Sequence, residues 1–182
     1  MYQLPDIATL PGLPQQEQDQ VLIHLFEESN TLIQYLRPYL STPFTSYLDF
    51  IQTSRDAFLK LVNDRDLKEI QTDYRVHDII SCHPRLGVPK TVKLSEHSSK
   101  EQASLQSNDE IISKFIKLNE DYESQYPGLK FVLFVNGRSK DQVIELFNSR
   151  IERNDYKQEV IDALNAMCDI AIDRYKKLSA KI

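Results

Sequence analysis

An all-α fold is what this chain of 182 residues predicts, on three observations. Only four glycines occur, and no tryptophan, so a turn-rich β architecture is disfavoured. Long segments combine Leu, Ile, Glu, Lys and Gln with apolar residues at three- and four-residue steps, the period of a helix buried on one side. A single run, Phe131-Val132-Leu133-Phe134-Val135, reads as strand-like, and one strand without a partner cannot build a sheet.

Residues 1–13, with Leu4-Pro5 and Leu10-Pro11-Gly12, predict an extended arm. Pro14 opens the remaining span, 14–182, read as a single helical domain. Val21, Leu22, Leu25, Phe26, Leu32, Ile33 and Leu36 describe one amphipathic helix from Gln15, stopped before Arg37-Pro38. Thr42-Pro43 restarts the chain, and Tyr47 to Val62 form a second helical region with a break near Thr53-Ser54. Asn63-Asp64 is a turn, and Leu67, Ile70, Ile79 and Ile80 indicate one or two short helices. These end at His83, because Pro84 disfavours helix in the residue before it.

Residues 85–97 lack periodicity and contain Gly87 and Pro89, so they form a loop. Ser98 and Glu101 have the spacing of a capping box that would open the next helix. A longer helix follows from about Asn108 and stops at Tyr126-Pro127-Gly128. The 131–135 run crosses the core as an extended segment or a helical turn. A second capping box, Ser139 and Gln142, opens a helix with Val143, Ile144, Phe147 and Ile151. Asp155 caps the last helix, whose stripe runs from Val160 to Leu178.

Composition excludes several functions. The net charge is −5 with no basic stripe, so nucleic acid is repelled. No apolar run approaches the ~20 residues that span a bilayer, and no secretory signal opens the chain. Cys82 and Cys168 lie far apart on half-apolar segments, which points to packing in a reducing interior rather than to a disulfide. No metal site is expected: His77 and His83 are six apart, and His24 and His97 sit in unrelated contexts. No Gly-rich phosphate loop exists, so nucleotide cofactors are disfavoured. Cys82 and His83 would project about 100° apart on a helix and cannot act as a nucleophile–base pair.

The chemistry concentrates in His83-Pro84-Arg85-Leu86-Gly87 and Ser98-Ser99-Lys100-Glu101-Gln102. An imidazole and a carboxylate at the two ends of one loop can form a proton-transfer pair. Taken singly, His83 could be a helix C-terminal cap and Glu101 half of a capping box; their coincidence favours function. Asn136-Gly137-Arg138-Ser139 presents free N–H groups at a helix start, a place that receives anions or carbonyl oxygens. Arg150 belongs beside a buried face, where it meets either an internal carboxylate or a ligand's; Arg153 is solvated.

These motifs, in this order from about Leu13 to the last helix, resemble the 2-oxo-4-hydroxy-4-carboxy-5-ureidoimidazoline (OHCU) decarboxylases of ureide metabolism. The resemblance implies an all-α protein that needs no cofactor, commonly forms a homodimer, and converts the ureidoimidazoline to (S)-allantoin in urate degradation. It assigns His83 as the catalytic histidine and Glu101 as the catalytic acid. It also makes Pro84, Ser98 and Gln102 substrate contacts, together with the Phe131, Val132, Val135 and Asn136 stretch, Arg138, and Arg150 as the gripping arginine. The chain departs from many members of the family in having Arg85 for Asp and Asn136 for Arg. Some members are peroxisomal, so the terminal Ala180-Lys181-Ile182 is read as a peroxisomal address whose partner is an import receptor; the alternative is a cytoplasmic protein. Two other readings stand beside the decarboxylase: an inactive helical interaction protein, or a lyase or hydrolase acting on a related ureide.

Overall fold

The computed structural model describes residues 2–105 and 108–179, so the terminal tripeptide lies outside the described residues. The N-terminal arm is not extended throughout: Ile7–Gly12 winds into a 3-10 helix capped by the Asp6 side chain, and Leu10 from it is fully buried. Nine α-helices follow among the described residues, and no strand. They are α1 (Gln15–Leu25), α2 (Asn30–Leu36), α3 (Tyr47–Leu59), α4 (Leu67–Thr72), α5 (Tyr74–Ser81), α6 (Glu96–Glu101), α7 (Asp109–Gln125), α8 (Lys140–Arg153) and α9 (Tyr156–Ser179).

Helix α9 is the spine. Val160, Ala163, Leu164, Met167, Cys168 and Ala171 make its stripe wholly buried, and α1, α3, α4 and α5 pack on it. Each Leu, Val or Met so buried stabilises the fold by roughly 1.5–3 kcal/mol. Helices α7 and α8 pair beside this group. Their shared core is the ring cluster Phe115, Tyr122, Phe131 and Phe147, in which Phe131 stacks on Phe147 with centroids 3.6 Å apart.

Three local outcomes differ from the periodicity. The helix expected across residues 15–36 is two, because the chain breaks after Phe26 and Ser29 caps α2 by accepting from the Leu32 N–H. Both halves keep the apolar register, since both face one core. Helix α3 runs unbroken through Thr53-Ser54, where the Ser54 hydroxyl donates to the Phe50 carbonyl (2.9 Å). Helix α6 begins before Ser98: Ser95 is its N-cap, and the expected Ser98–Glu101 capping box does not form. The Ser139–Gln142 box does form, and Asp155 accepts from the Gln158 N–H.

Residues 131–135 cross the interior as an extended segment with no strand partner among the described residues. Its carbonyls still need donors, and two arginines supply them. Arg150 Nη1 donates to Val132 O (3.0 Å), and Arg138 Nη1 donates to Phe134 O (2.8 Å). The segment then turns at Asn136 and Gly137, both at positive φ (45° and 75°), closed by the Arg138 N–H on Val135 O.

Candidate active site

A cavity of about 390 Å³ opens where the end of α5, helix α6, the 131–137 segment and α9 meet. Its walls bring together His83, Pro84, Ser98, Glu101, Gln102, Phe131, Val132, Val135 and Asn136. Arg138 and Arg150, expected to touch substrate, are not on those walls. Arg150 is locked inside the protein: its guanidinium donates to both oxygens of the fully buried Glu159 (2.7–3.2 Å) and lies 4.4 Å over the Phe131 ring. Arg153, expected in solvent, is exposed and also pairs with the same Glu159 and with Asp162. Arg138 and Arg150 therefore shape the wall by holding backbone carbonyls.

His83 is 4% exposed and lines the cavity, and its Nε2 has no partner among the described residues. Burial, reinforced by the Arg174 cation and opposed by Glu27, pushes its pKa down to about 3. The imidazole is therefore neutral at physiological pH. The neighbouring Cys82 thiol is pushed up to about 12, mainly by burial, and is no nucleophile at that pH.

The early start of α6 places Ser98 and Glu101 three residues apart in the body of one helix, so they share a face. That face meets Arg174 of α9, which is 1% exposed. Arg174 grips Glu101 with two bonds, Nε to Oε1 at 2.7 Å and Nη2 to Oε2 at 2.9 Å. The same Nη2 reaches Glu27 Oε1 at 2.8 Å, and the Ser98 hydroxyl donates to that oxygen at 2.5 Å. Burial would raise the Glu27 pKa, but Arg174 and Ser98 outweigh it and the net direction is down. Glu27 stays ionised.

Glu27 occupies the break between α1 and α2 with φ at 148°, a conformation L-residues rarely adopt. Such strain costs about 1–3 kcal/mol and persists only where surroundings enforce it; here Arg174, Ser98 and Ser95 all hold the carboxylate. Glu27 and Arg174 were not among the residues singled out from the sequence. Arg174 carried a signal: it falls four after Ile170 and three after Ala171, inside an apolar stripe, where a cation needs a buried acid. Glu27 carried none, because its role depends on a helix break that the periodicity hides.

Gln102 braces the loop. Its Oε1 accepts from the Gly87 N–H (3.0 Å) and its Nε2 donates to the Arg85 carbonyl (3.1 Å). Arg85 points away from the cavity into a two-bond pair with Glu123 (2.6 and 2.8 Å), so this departure from the family pattern lies outside the pocket. Among the described residues no group of three or more His, Cys, Asp or Glu could hold a metal. His24 and His97, in unrelated sequence contexts, meet at 3.0 Å with Tyr2 stacked on His24.

Within this helical fold, a neutral imidazole and an arginine-held carboxylate line the same small cavity. The chain belongs to the OHCU decarboxylase family, which it matches over residues 11–176. It is 26% identical over 163 residues to the uric acid degradation bifunctional protein of Bacillus sp. (strain TB-90), covering 86% of this chain and 29% of that protein. To the uric acid degradation bifunctional protein PucL of Bacillus subtilis (strain 168) it is 31% identical over 91 residues, 47% of this chain and 18% of that one. The chain thus corresponds to less than a third of either relative's length. Its fold is shared with the crystal structure of an OHCU decarboxylase obtained in the presence of (S)-allantoin: TM-score 0.59, 20% identity, 87% of this chain and 96% of that one.

Proposed function

We propose that this protein decarboxylates 2-oxo-4-hydroxy-4-carboxy-5-ureidoimidazoline to (S)-allantoin, as a step of uric acid degradation. The observation that carries the reading is that His83 and Glu101 line one cavity in a chain of this family. Neutral His83 engages the substrate hydroxyl from the cavity wall. A substrate carboxylate beside the ring would raise the imidazole's affinity for that hydroxyl proton. Loss of CO2 leaves an electron pair that the conjugated imidazoline itself accepts, so the chemistry calls for no external electron sink. Glu101, fixed by Arg174, relays a proton taken up from solvent to one face of the ring carbon. Arg150 takes no direct part; the backbone it holds at Val132 does.

The test is allantoin formation followed by circular dichroism, with this protein added to a urate oxidase and a hydroxyisourate hydrolase. Spontaneous breakdown gives racemic product, so a faster rise of a single-handed signal supports the reading. His83→Ala and Glu101→Gln should each lower the rate about 10²–10⁴-fold. Wild-type rates in either variant would remove that residue from the mechanism. An unchanged, racemic time course with wild-type protein would defeat the activity itself.

The resemblance also supports a homodimer, checked by light scattering during gel filtration. Ala180-Lys181-Ile182 supports a peroxisomal address read by an import receptor. Masking the carboxyl terminus should leave the protein cytosolic; unchanged peroxisomal location would remove the tripeptide from that role.

A further inference from the structure

His24 and His97, which the proposed reaction leaves unused, meet beside the helix that carries the acid. His24 stands in the last turn of α1 and His97 in the first turn of α6. His24 Nδ1 lies 3.0 Å from His97 Nε2 with the rings edge-on at 89°, and the Tyr2 ring stacks on His24 at 3.8 Å. Both histidines are half-buried, so protons from solvent reach them. Glu27, three residues after His24, holds Ser95 and Ser98 on either side of His97. The end of α1 therefore docks on α6 through two polar contacts, one from an acid and one between imidazoles. Six residues are too few for a helix to hold itself, so α6 depends on such docking.

Two imidazole nitrogens this close bond only when one carries a hydrogen and the other does not. A neutral pair meets that condition, and so does a pair sharing one added proton. With both rings protonated, two N–H groups and two positive charges face each other, and the contact must open. The groups around the pair set how readily that second proton arrives. Burial disfavours the charged form of both rings, His97 opposes it further at His24, and Arg174 of α9 repels a proton from each. Glu27 at the end of α1 and Glu96 on α6 attract one to each, as Glu101 does at His97. The net direction is down for both, so the contact is closed at neutral pH. Lys100 pairs with Glu96 (2.5 Å), and Tyr2 of the arm, pushed up to about 12 by burial and by Glu17, stays uncharged.

We propose that the His24–His97 contact is a proton-operated clasp on α6, closed while the pair carries at most one added proton and open when both rings are charged. Opening removes one of the two ties between α1 and α6, and so loosens Ser98 and the Glu101 that Arg174 grips. The two histidines are positioning residues that act on the reaction only through α6. That consequence for catalysis rests on the role proposed for Glu101; the clasp itself does not.

Amide hydrogen exchange and ring NMR titration of the whole chain need no substrate, so their outcome is separate from that of the reaction. Between about pH 7.5 and about pH 4.5 the two rings should titrate in two steps at least about one pH unit apart. With the second step, α6 amides should lose about tenfold in protection relative to those of α7. His97→Gln is the decisive variant, because its amide can donate to a neutral His24 or accept from a charged one. In it α6 should keep its protection across the whole range. His24→Phe preserves a ring for Tyr2 to stack on and removes both bond and charge. There α6 should be less protected at every pH, with no acid step, and His97 should titrate once. The glutamine arm stands alone should the phenylalanine variant fail to fold. The proposal is overturned by rings that titrate independently, by wild-type α6 keeping its protection in acid, or by His97→Gln losing it as wild type does.

Discussion

His83 is an imidazole held neutral by its surroundings, and that has a thermodynamic signature. Its pKa falls from 6.5 to about 3 on folding, chiefly through burial. Between those values the unfolded chain binds a proton that the folded chain does not, so stability must fall as pH drops through that window. The slope from this group alone approaches about 1.4 kcal/mol per pH unit below the unfolded value. His83→Asn, which cannot titrate, should lack it: in urea unfolding, the stability of wild type relative to the variant should shrink steadily from pH 6.5 to pH 4. A constant difference would mean the imidazole is protonated in the folded state. Arg174 offers a second residue-scale test. A lysine cannot hold Glu101 with two bonds and Glu27 with a third, so Arg174→Lys should lower kcat at least about tenfold while KM moves less. Equal kcat would show that Glu101 needs no fixing. His83 and Glu101 were legible from sequence because each stands in a short, ordered motif. Arg150 was legible only as a buried cation with two readings, an internal carboxylate or a ligand's; Glu159 of α9 takes it, nine residues further on.

At the scale of elements, the loop between α5 and α6 does the positioning. Gln102 ties both Arg85 and Gly87 to α6, and Asn119 ties Leu86 to α7, so three side-chain bonds hold three consecutive residues. Gly87 is required within it: φ is +66°, and an added Cβ would lie only 2.2–2.6 Å from Cγ, Cδ2 and Cβ of Phe115. Gly87→Ala should therefore cost about 1–3 kcal/mol, read as a drop in the urea midpoint, and should disturb His83 with it. A fully stable variant would mean the loop is free to move. Helix existence was legible almost everywhere because apolar spacing reports which face is buried. Ends were less so. The Ser98-to-Glu101 spacing fits a capping box, but Ser95 competes for the same cap, and only the meeting of Ser98 with Glu27 shows why Ser95 wins. The α1–α2 break was hidden because the same core faces both helices, leaving the apolar register intact across Glu27.

Across the whole molecule, α9 carries a buried ion-pair cluster near each end: Glu159 with Arg150 and Arg153, and Arg174 with Glu27 and Glu101. The two are 15 residues apart, or about 22 Å along the axis at the usual helical rise. One fixes the 131–135 wall of the pocket through the Val132 carbonyl, and the other fixes the acid. A single rigid helix thus sets the separation between wall and acid, which explains why the pocket needs no sheet beneath it. The Arg150 end decides between a structural and a substrate-binding arginine. Arg150→Met strands part of the Glu159 charge in the core, although Arg153 and the Tyr122 hydroxyl still reach it. The expected loss is therefore at the low side of what breaking a buried pair costs, about 3 kcal/mol. The double variant Arg150→Met, Glu159→Met removes the stranded charge and should regain most of that stability in a double-mutant cycle of urea unfolding. An arginine that gripped substrate would behave oppositely: Arg150→Met would raise KM with stability unchanged, and the second substitution would restore nothing.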